Sequence, residues 1–112
     1  MKGLLQDTDY VGPFLFELSD FVGRRWNFRL LWELRNHKVM RYNEILESLK
    51  GISPSTLANV LKGLQKESLV KRVAHGKVPP YRVEYSITKK GLELIIASSY
   101  LVKWMIKKRK HV

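Results

Sequence analysis

Ser53-Pro54-Ser55-Thr56-Leu57-Ala58-Asn59-Val60-Leu61-Lys62-Gly63-Leu64-Gln65-Lys66 reads as a helix with one face for the protein and one for a partner. Ser53 suits the N-cap, and Pro54 suits the first helical position because its missing N–H would be an orphan donor there anyway. Leu57, Val60, Leu61 and Leu64 recur at the i, i+3, i+4, i+7 spacing of a buried stripe. Ser55, Thr56, Asn59, Lys62 and Lys66 are left on the other side, which carries no carboxylate before Glu67. A helix face that only meets water more often mixes signs in Glu/Lys pairs.

Working upstream, Tyr42, Ile45, Leu46 and Leu49 mark a helix ending at Lys50-Gly51, where glycine suits a left-handed cap. Only Ile52 and Ser53 separate it from the quoted helix, which is the spacing of a helix-turn-helix. Before it, Val39-Met40-Arg41 reads as a brief strand. A helix from about Arg25 to Arg35 buries Trp26, Leu30, Leu31 and Leu34, and Asn36-His37-Lys38 ends it. Phe14, Leu15, Leu18, Phe21 and Val22 repeat at helical spacing over residues 14 to 22. Residues 1 to 13 form an acidic arm closing on Gly12-Pro13.

Working downstream, Leu69 to His75 and Arg82 to Ile87 alternate apolar and charged residues as half-buried antiparallel strands do. Between them, Gly76-Lys77-Val78-Pro79-Pro80-Tyr81 is a stiff, projecting hairpin tip. Strand, basic loop and strand after a helix-turn-helix make a wing. Thr88 is an N-cap for a last helix over Lys89 to Lys108. On it Leu92, Ile95, Ile96, Ser99 and Val102 are expected to pack on the domain, while Leu94, Leu101, Trp104 and Met105 spread beyond one stripe. A helix apolar on nearly all sides is buried on more than one of them. A second copy of the chain supplies the other side most simply, with Phe14 and Leu18 of the first helix contributing.

The expected fold class is therefore α+β, mostly α. It is a single winged helix-turn-helix domain over residues 1 to 112, with a two-stranded β wing and a long C-terminal dimerisation helix. A chain of 112 residues can bury roughly two-thirds of its unfolded surface, enough for a proper core. Apolar residues at 45% and charged residues at 28% are ordinary for a globular protein. The charge balance is not ordinary: 21 Lys and Arg against 10 Asp and Glu give +11. Residues 1 to 23 hold one lysine against four carboxylates, net −3, so the rest carries +14. Such a basic body points to nucleic acid.

Other classes find less support. An anionic membrane would need an exposed apolar helix face opposite the charge, and no apolar run approaches the ~18 residues of a spanning helix. No signal-peptide pattern opens the sequence, so a cytoplasmic, nucleoid-associated protein is expected. The chain has no cysteine, which removes disulfides, thiolate zinc sites and thiol redox sensing. His37, His75 and His111 are far apart without ligand-like spacing, so no metal or other cofactor is expected. Glu44 and Glu47 share a helix face, but no nucleophile, phosphate loop or metal cluster accompanies them, and no enzyme is expected.

Four stretches in order resemble the HxlR-type winged-helix transcription regulators, relatives of the MarR group. They are Gly23-Arg24-Arg25-Trp26, Arg41-Tyr42-Asn43-Glu44-Ile45, Gly51-Ile52-Ser53-Pro54-Ser55-Thr56-Leu57 and Pro79-Pro80-Tyr81-Arg82-Val83-Glu84-Tyr85-Ser86-Ile87-Thr88, with Gly91 in place after the last. The resemblance implies a dimeric regulator that binds double-stranded DNA. Members often carry an N-terminal cysteine used for redox sensing, which this chain lacks. Gly63 stands where a longer residue is expected; it signals either close approach to DNA or a cost in stability.

In such a fold the recognition helix enters the major groove with its first turns nearest the bases. Ser53, Ser55, Thr56 and Asn59 fall there, and Asn59 is the candidate for direct readout because an amide donates and accepts at once to adenine. Lys62 and Lys66 are placed for phosphates, Arg41 anchors the preceding helix, and Lys77 and Arg82 of the wing suit a narrow minor groove. Each wing cation also reads as a plain solvated residue. A protein- or RNA-binding adaptor is the alternative function, since fold does not settle it. Trp26, Trp32 and Tyr100 are either core or the walls of a cavity for a small aromatic effector.

Overall fold

The computed structural model describes residues 11 to 110. A 3-10 turn, Gly12–Phe14, leads into α1 (Leu15–Gly23), followed by α2 (Asn27–Asn36), α3 (Tyr42–Ser48), α4 (Pro54–Lys66), β1 (Val70–His75), β2 (Arg82–Ile87) and α5 (Lys89–Lys110). The fold is the expected one: two helices, helix-turn-helix, wing, helix. Most of the acidic arm, residues 1 to 10, lies outside the described residues, as does His111. Gly12 and Pro13, expected to end the arm, belong to the 3-10 turn.

The core forms where the stripes of three helices meet the sheet. Leu30, Leu31 and Leu34 of α2, Ile45 of α3, and Leu57, Leu61 and Leu64 of α4 are almost wholly buried. Leu69, Val70 and Tyr85 close the sheet side. Val60, expected among the buried residues of α4, packs partly buried against this cluster, as Trp26 does just ahead of α2. The core and its half-buried neighbours draw on all five helices and both strands, so the helix-turn-helix is packed as part of one body.

β1 and β2 pair antiparallel from Val70↔Ile87 to His75↔Arg82. Alternation directs Val70, Tyr85, Val83 and Ile87 inward. Lys71, Val73, His75, Arg82, Glu84 and Ser86 share the other face. The brief strand at residues 39 to 41 is a single bridge: Met40 N–H donates to Tyr85 O at 2.9 Å, and Tyr85 N–H returns the bond to Met40 O at 2.8 Å. The wing is thereby tied to the segment before α3.

The wing hands the chain to α5 through Thr88. Its hydroxyl donates to Ser68 O at 2.7 Å and accepts from Gly91 N–H at 3.0 Å, capping α5 against the end of α4. A Cβ at Gly91 would sit 2.5 Å from Leu69 O and 2.6 Å from Ile87 Cγ1. This first turn presses tightly on the body, and it sets the helix rotation.

That rotation corrects the expected division of α5. Gly91, Leu94, Ile95 and Ser98, one i, i+3, i+4, i+7 set, face the body. Leu94 therefore packs on its own core, whereas Leu92, Ile96 and Val102, expected to pack there, are exposed. The sequence offers apolar residues at nearly every angle, so periodicity alone leaves the rotation free by a residue; the contact at Gly91 decides it. Past Ser99 the side chains of α5 are exposed through Arg109, and the helix stretches the molecule to 60 × 32 × 23 Å. There Leu101, Val102, Met105 and Ile106 continue the body-facing stripe while exposed.

Candidate nucleic-acid interface

The turn between α3 and α4 is built by backbone and caps. Leu49 N–H closes α3 on Ile45 O, Gly51 takes φ +93, and Ile52 N–H bonds to Leu49 O at 3.2 Å. A positive φ there suits glycine because a side chain would strain it. Ser53 then caps α4, its hydroxyl accepting from Thr56 N–H at 3.1 Å and donating to Thr56 Oγ1 at 2.8 Å. The Tyr42 hydroxyl donates to Pro54 O at 2.6 Å and joins the starts of the two helices.

On this frame α4 presents Ser55, Asn59, Lys62 and Lys66. Ser55 and Lys62 are exposed on its outer side, as are Asn59 and Lys66 by their place on the same face. Thr56 is half-buried with its hydroxyl engaged by Ser53, and Ser53 is exposed but engaged as the cap. Both belong to the turn's own hydrogen bonding as well as to its surface. Gly63 lies four residues after Asn59 on the same side, and a Cβ there would meet nothing within 4 Å. Internal packing therefore does not require it.

Arg41 is exposed one residue before α3, and its backbone N–H donates to Glu44 Oε1 at 2.7 Å. Glu44 is thus a helix-capping carboxylate, a role its spacing of three from the N-cap position signals. Lys77 and Arg82 are exposed at and beside the wing tip, where Gly76 takes φ +112 to reverse the chain. The residues named from sequence thus fall into two groups, one on α4 and at the starts of α3 and α4, and one on the wing. Sequence reading treats Tyr42 as an apolar residue and passes over Glu84, whose Oε1 lies 2.7 Å from His75 Nε2 and 3.4 Å from Arg82 Nε. Only the strand register, which pairs His75 with Arg82, brings these three together.

The expected aromatic cavity takes another form. A groove of about 720 Å³ between α2 and α5 is lined by Phe28, Trp32, Ile95, Ile96 and Val102, with Arg35 and Lys103 among its cations. Trp26 lines a separate cleft with Trp32 and the end of α3, and Tyr100 lines neither, being 74% exposed. Trp26 stands just ahead of α2 and reaches only the cleft, Trp32 lines both the cleft and the groove, and Tyr100 is exposed on α5. Neither the groove nor the cleft unites the three.

Among the described residues no three His, Asp or Glu side chains gather as a metal site, and no helix is long and apolar enough to cross a membrane.

Comparison with known proteins places this geometry in a family. The family model of the HxlR-like helix-turn-helix matches residues 21–111. An HTH-type transcriptional regulator of Halalkalibacterium halodurans is 34% identical over 103 residues, 92% of this chain and 86% of the relative. The HTH-type transcriptional regulator YdzF of Bacillus subtilis is 36% identical over 94 residues, 82% and 83% of the two chains. Among solved structures, a MarR-family regulator from Enterococcus faecalis superposes with a TM-score of 0.74 at 28% identity, covering 88% of this chain and 90% of that one. The reduced form of the regulator YodB from B. subtilis gives 0.72 at 29% identity, covering 82% and 88%. These relatives are transcription regulators and not enzymes. With its capped turn, its recognition helix and its wing all inside the matched span, the chain belongs to the HxlR-like helix-turn-helix family and is a DNA-binding transcription regulator of the MarR-like winged-helix type.

Proposed function

We propose that the protein binds double-stranded DNA sequence-specifically, as a homodimer on an inverted-repeat operator, in the cytoplasm at the nucleoid. The observation that carries this reading is the outer face of α4: exposed, free of carboxylates, and held by the Ser53 cap and the Tyr42–Pro54 bond at a fixed angle to α3. Asn59 reads a base edge in the major groove, with Ser55 and Thr56 beside it. Ser53 caps the helix whose free N–H groups suit a phosphate. Lys62, Lys66 and Arg41 position the protein on phosphates, and Lys77 and Arg82 extend the contact to the adjacent minor groove.

Dimerisation rests on α5 and α1. Leu101, Val102, Met105 and Ile106 form an exposed stripe along the outer part of α5, Trp104 is exposed beside them, and Phe14 and Leu18 are exposed at and near α1. The end of α5 is basic, through Lys103, Lys107, Lys108 and Arg109, whereas Glu17 and Asp20 make α1 acidic. Two copies can therefore match both apolar stripe and charge. Leu94, packed on its own core, supports the base of α5 in that arrangement. With no cysteine in the sequence, a thiol switch is not open to this regulator.

A titration of duplex DNA over a salt series tests the reading. A dimer with about 6 to 10 phosphate contacts gives log K falling with log salt at a slope of roughly −5 to −9. Inverted half-sites should be spaced one helical turn, about 34 Å. A flat salt response, or preference for single-stranded RNA, would replace it with the adaptor reading.

A further inference from the structure

We propose that Glu84 is a positioning residue for DNA binding, holding the Nε edge of Arg82 so that the terminal guanidinium nitrogens are presented outward. The inference rests on the reading that the wing contacts DNA. Glu84 is the sole carboxylate on the wing face that also carries Lys71, His75 and Arg82. Its Oε1 takes His75 Nε2 at 2.7 Å and Arg82 Nε at 3.4 Å. Glu84 is more buried than either partner, its side chain being 25% exposed against 43% for His75 and 54% for Arg82.

The geometry divides the labour among the three. His75 sits directly across the ladder from Arg82, so both flank the same carboxylate from adjoining strands. The short bond from His75 fixes Glu84, and either the Nε2–H tautomer or the imidazolium makes it. The fixed carboxylate then orients Arg82 through Nε, the one guanidinium nitrogen not needed for a bidentate grip by the two terminal nitrogens. The ion pair with Glu84 is made at Nε, which leaves Nη1 and Nη2 to a partner. They form the fork that matches a phosphate, or that enters a narrow minor groove. An arginine held this way loses less side-chain freedom on binding than one swinging in solvent.

The sign of one substitution separates this from simpler roles. Glu84→Gln removes a negative charge near DNA, so if the carboxylate only repels phosphates, binding strengthens. If Glu84 positions Arg82, binding to the operator weakens about 3- to 10-fold, and the loss disappears when Arg82 is already Gln. The experiment is a double-mutant cycle of Glu84→Gln and Arg82→Gln, read by operator affinity at fixed salt, with thermal unfolding checking the fold. Alongside it, the Nε–H resonance of Arg82 in the free protein should be slow to exchange and lose that protection in Glu84→Gln. Tighter binding by Glu84→Gln, an equal loss in the Arg82→Gln background, or an unprotected Nε–H each overturns the proposal. Arg82→Gln with unchanged affinity but a protected Nε–H instead overturns the wing reading, and the proposal with it.

Discussion

Tyr42 and Pro54, the first residues of α3 and α4, are joined by a 2.6 Å hydrogen bond from phenol to carbonyl. The bond spans the turn that sets the angle of α4 to α3, clasping one helix start to the other. Tyr42→Phe keeps the ring packed on the core and removes only the donor. It should cost about 0.5 to 1.5 kcal/mol in stability. Chemical denaturation measures that, and operator affinity should fall with it because the angle between the helices loosens. Unchanged stability would show that the turn is held by Gly51 and the Ser53 cap alone.

Gly91 is where α5 meets the body, with space for no side chain: a methyl carbon there would lie 2.5 Å from Leu69 O and 2.6 Å from Ile87 Cγ1. Backbone on one side cannot give way cheaply. Gly91→Ala should destabilise the domain by about 1 to 3 kcal/mol despite alanine's better helix propensity. Urea denaturation checks it, and a gain in stability would mean that α5 shifts without loss.

Gly63 offers the opposite case. A Cβ there meets nothing within 4 Å in the protein, so Gly63→Ala should raise stability by about 0.5 to 1 kcal/mol. It lies on the same side of α4 as Asn59. If glycine is there to admit DNA, operator affinity falls while stability rises, and thermal unfolding beside a binding titration separates the two. Affinity that holds would leave Gly63 with no DNA role.

Much of the fold is legible in sequence because local rules and tertiary demands agree. Ser53-Pro54 marks a helix start whatever surrounds it, Gly51 takes the positive φ its turn requires, and the alternation in β1 and β2 survives in their register. The rotation of α5 is not legible: apolar residues at every angle leave periodicity without a preferred face, and the choice falls to a backbone contact at Gly91. Nor is the Glu84 cluster, because residues nine apart in sequence, His75 and Glu84, meet only through the strand pairing. Tyr42 counts as one more apolar residue in a stripe, although its hydroxyl is what reaches Pro54.

Asn59 and Lys77 should separate base reading from positioning. Asn59→Ala should cost about 1 to 3 kcal/mol on the operator and relax preference at one base pair per half-site. Lys77→Ala should weaken operator and random duplex alike and reduce the salt slope by about 1 for each wing engaged. Parallel titrations on both duplexes decide it. Equal behaviour of the two variants would dissolve the division of roles.

The stripe along the outer part of α5 sets the last expectation. Leu101 is 56% exposed and Met105 47%, on the side of the helix that continues the domain's own buried stripe. A face of this kind gains from being covered, and burying the half of each of these two side chains that is still exposed is worth about 1.5 to 3 kcal/mol per subunit. Leu101→Glu with Met105→Glu removes that gain and adds desolvation of two carboxylates, while the core, which ends before Ser99, is untouched. Sedimentation at micromolar concentration should show the native chain as a dimer and the double variant as a folded monomer. Operator affinity should then drop about 10²- to 10⁴-fold, since one half-site no longer raises the effective concentration at the other. A native chain that sediments as a monomer would remove the dimer, and with it the inverted-repeat operator.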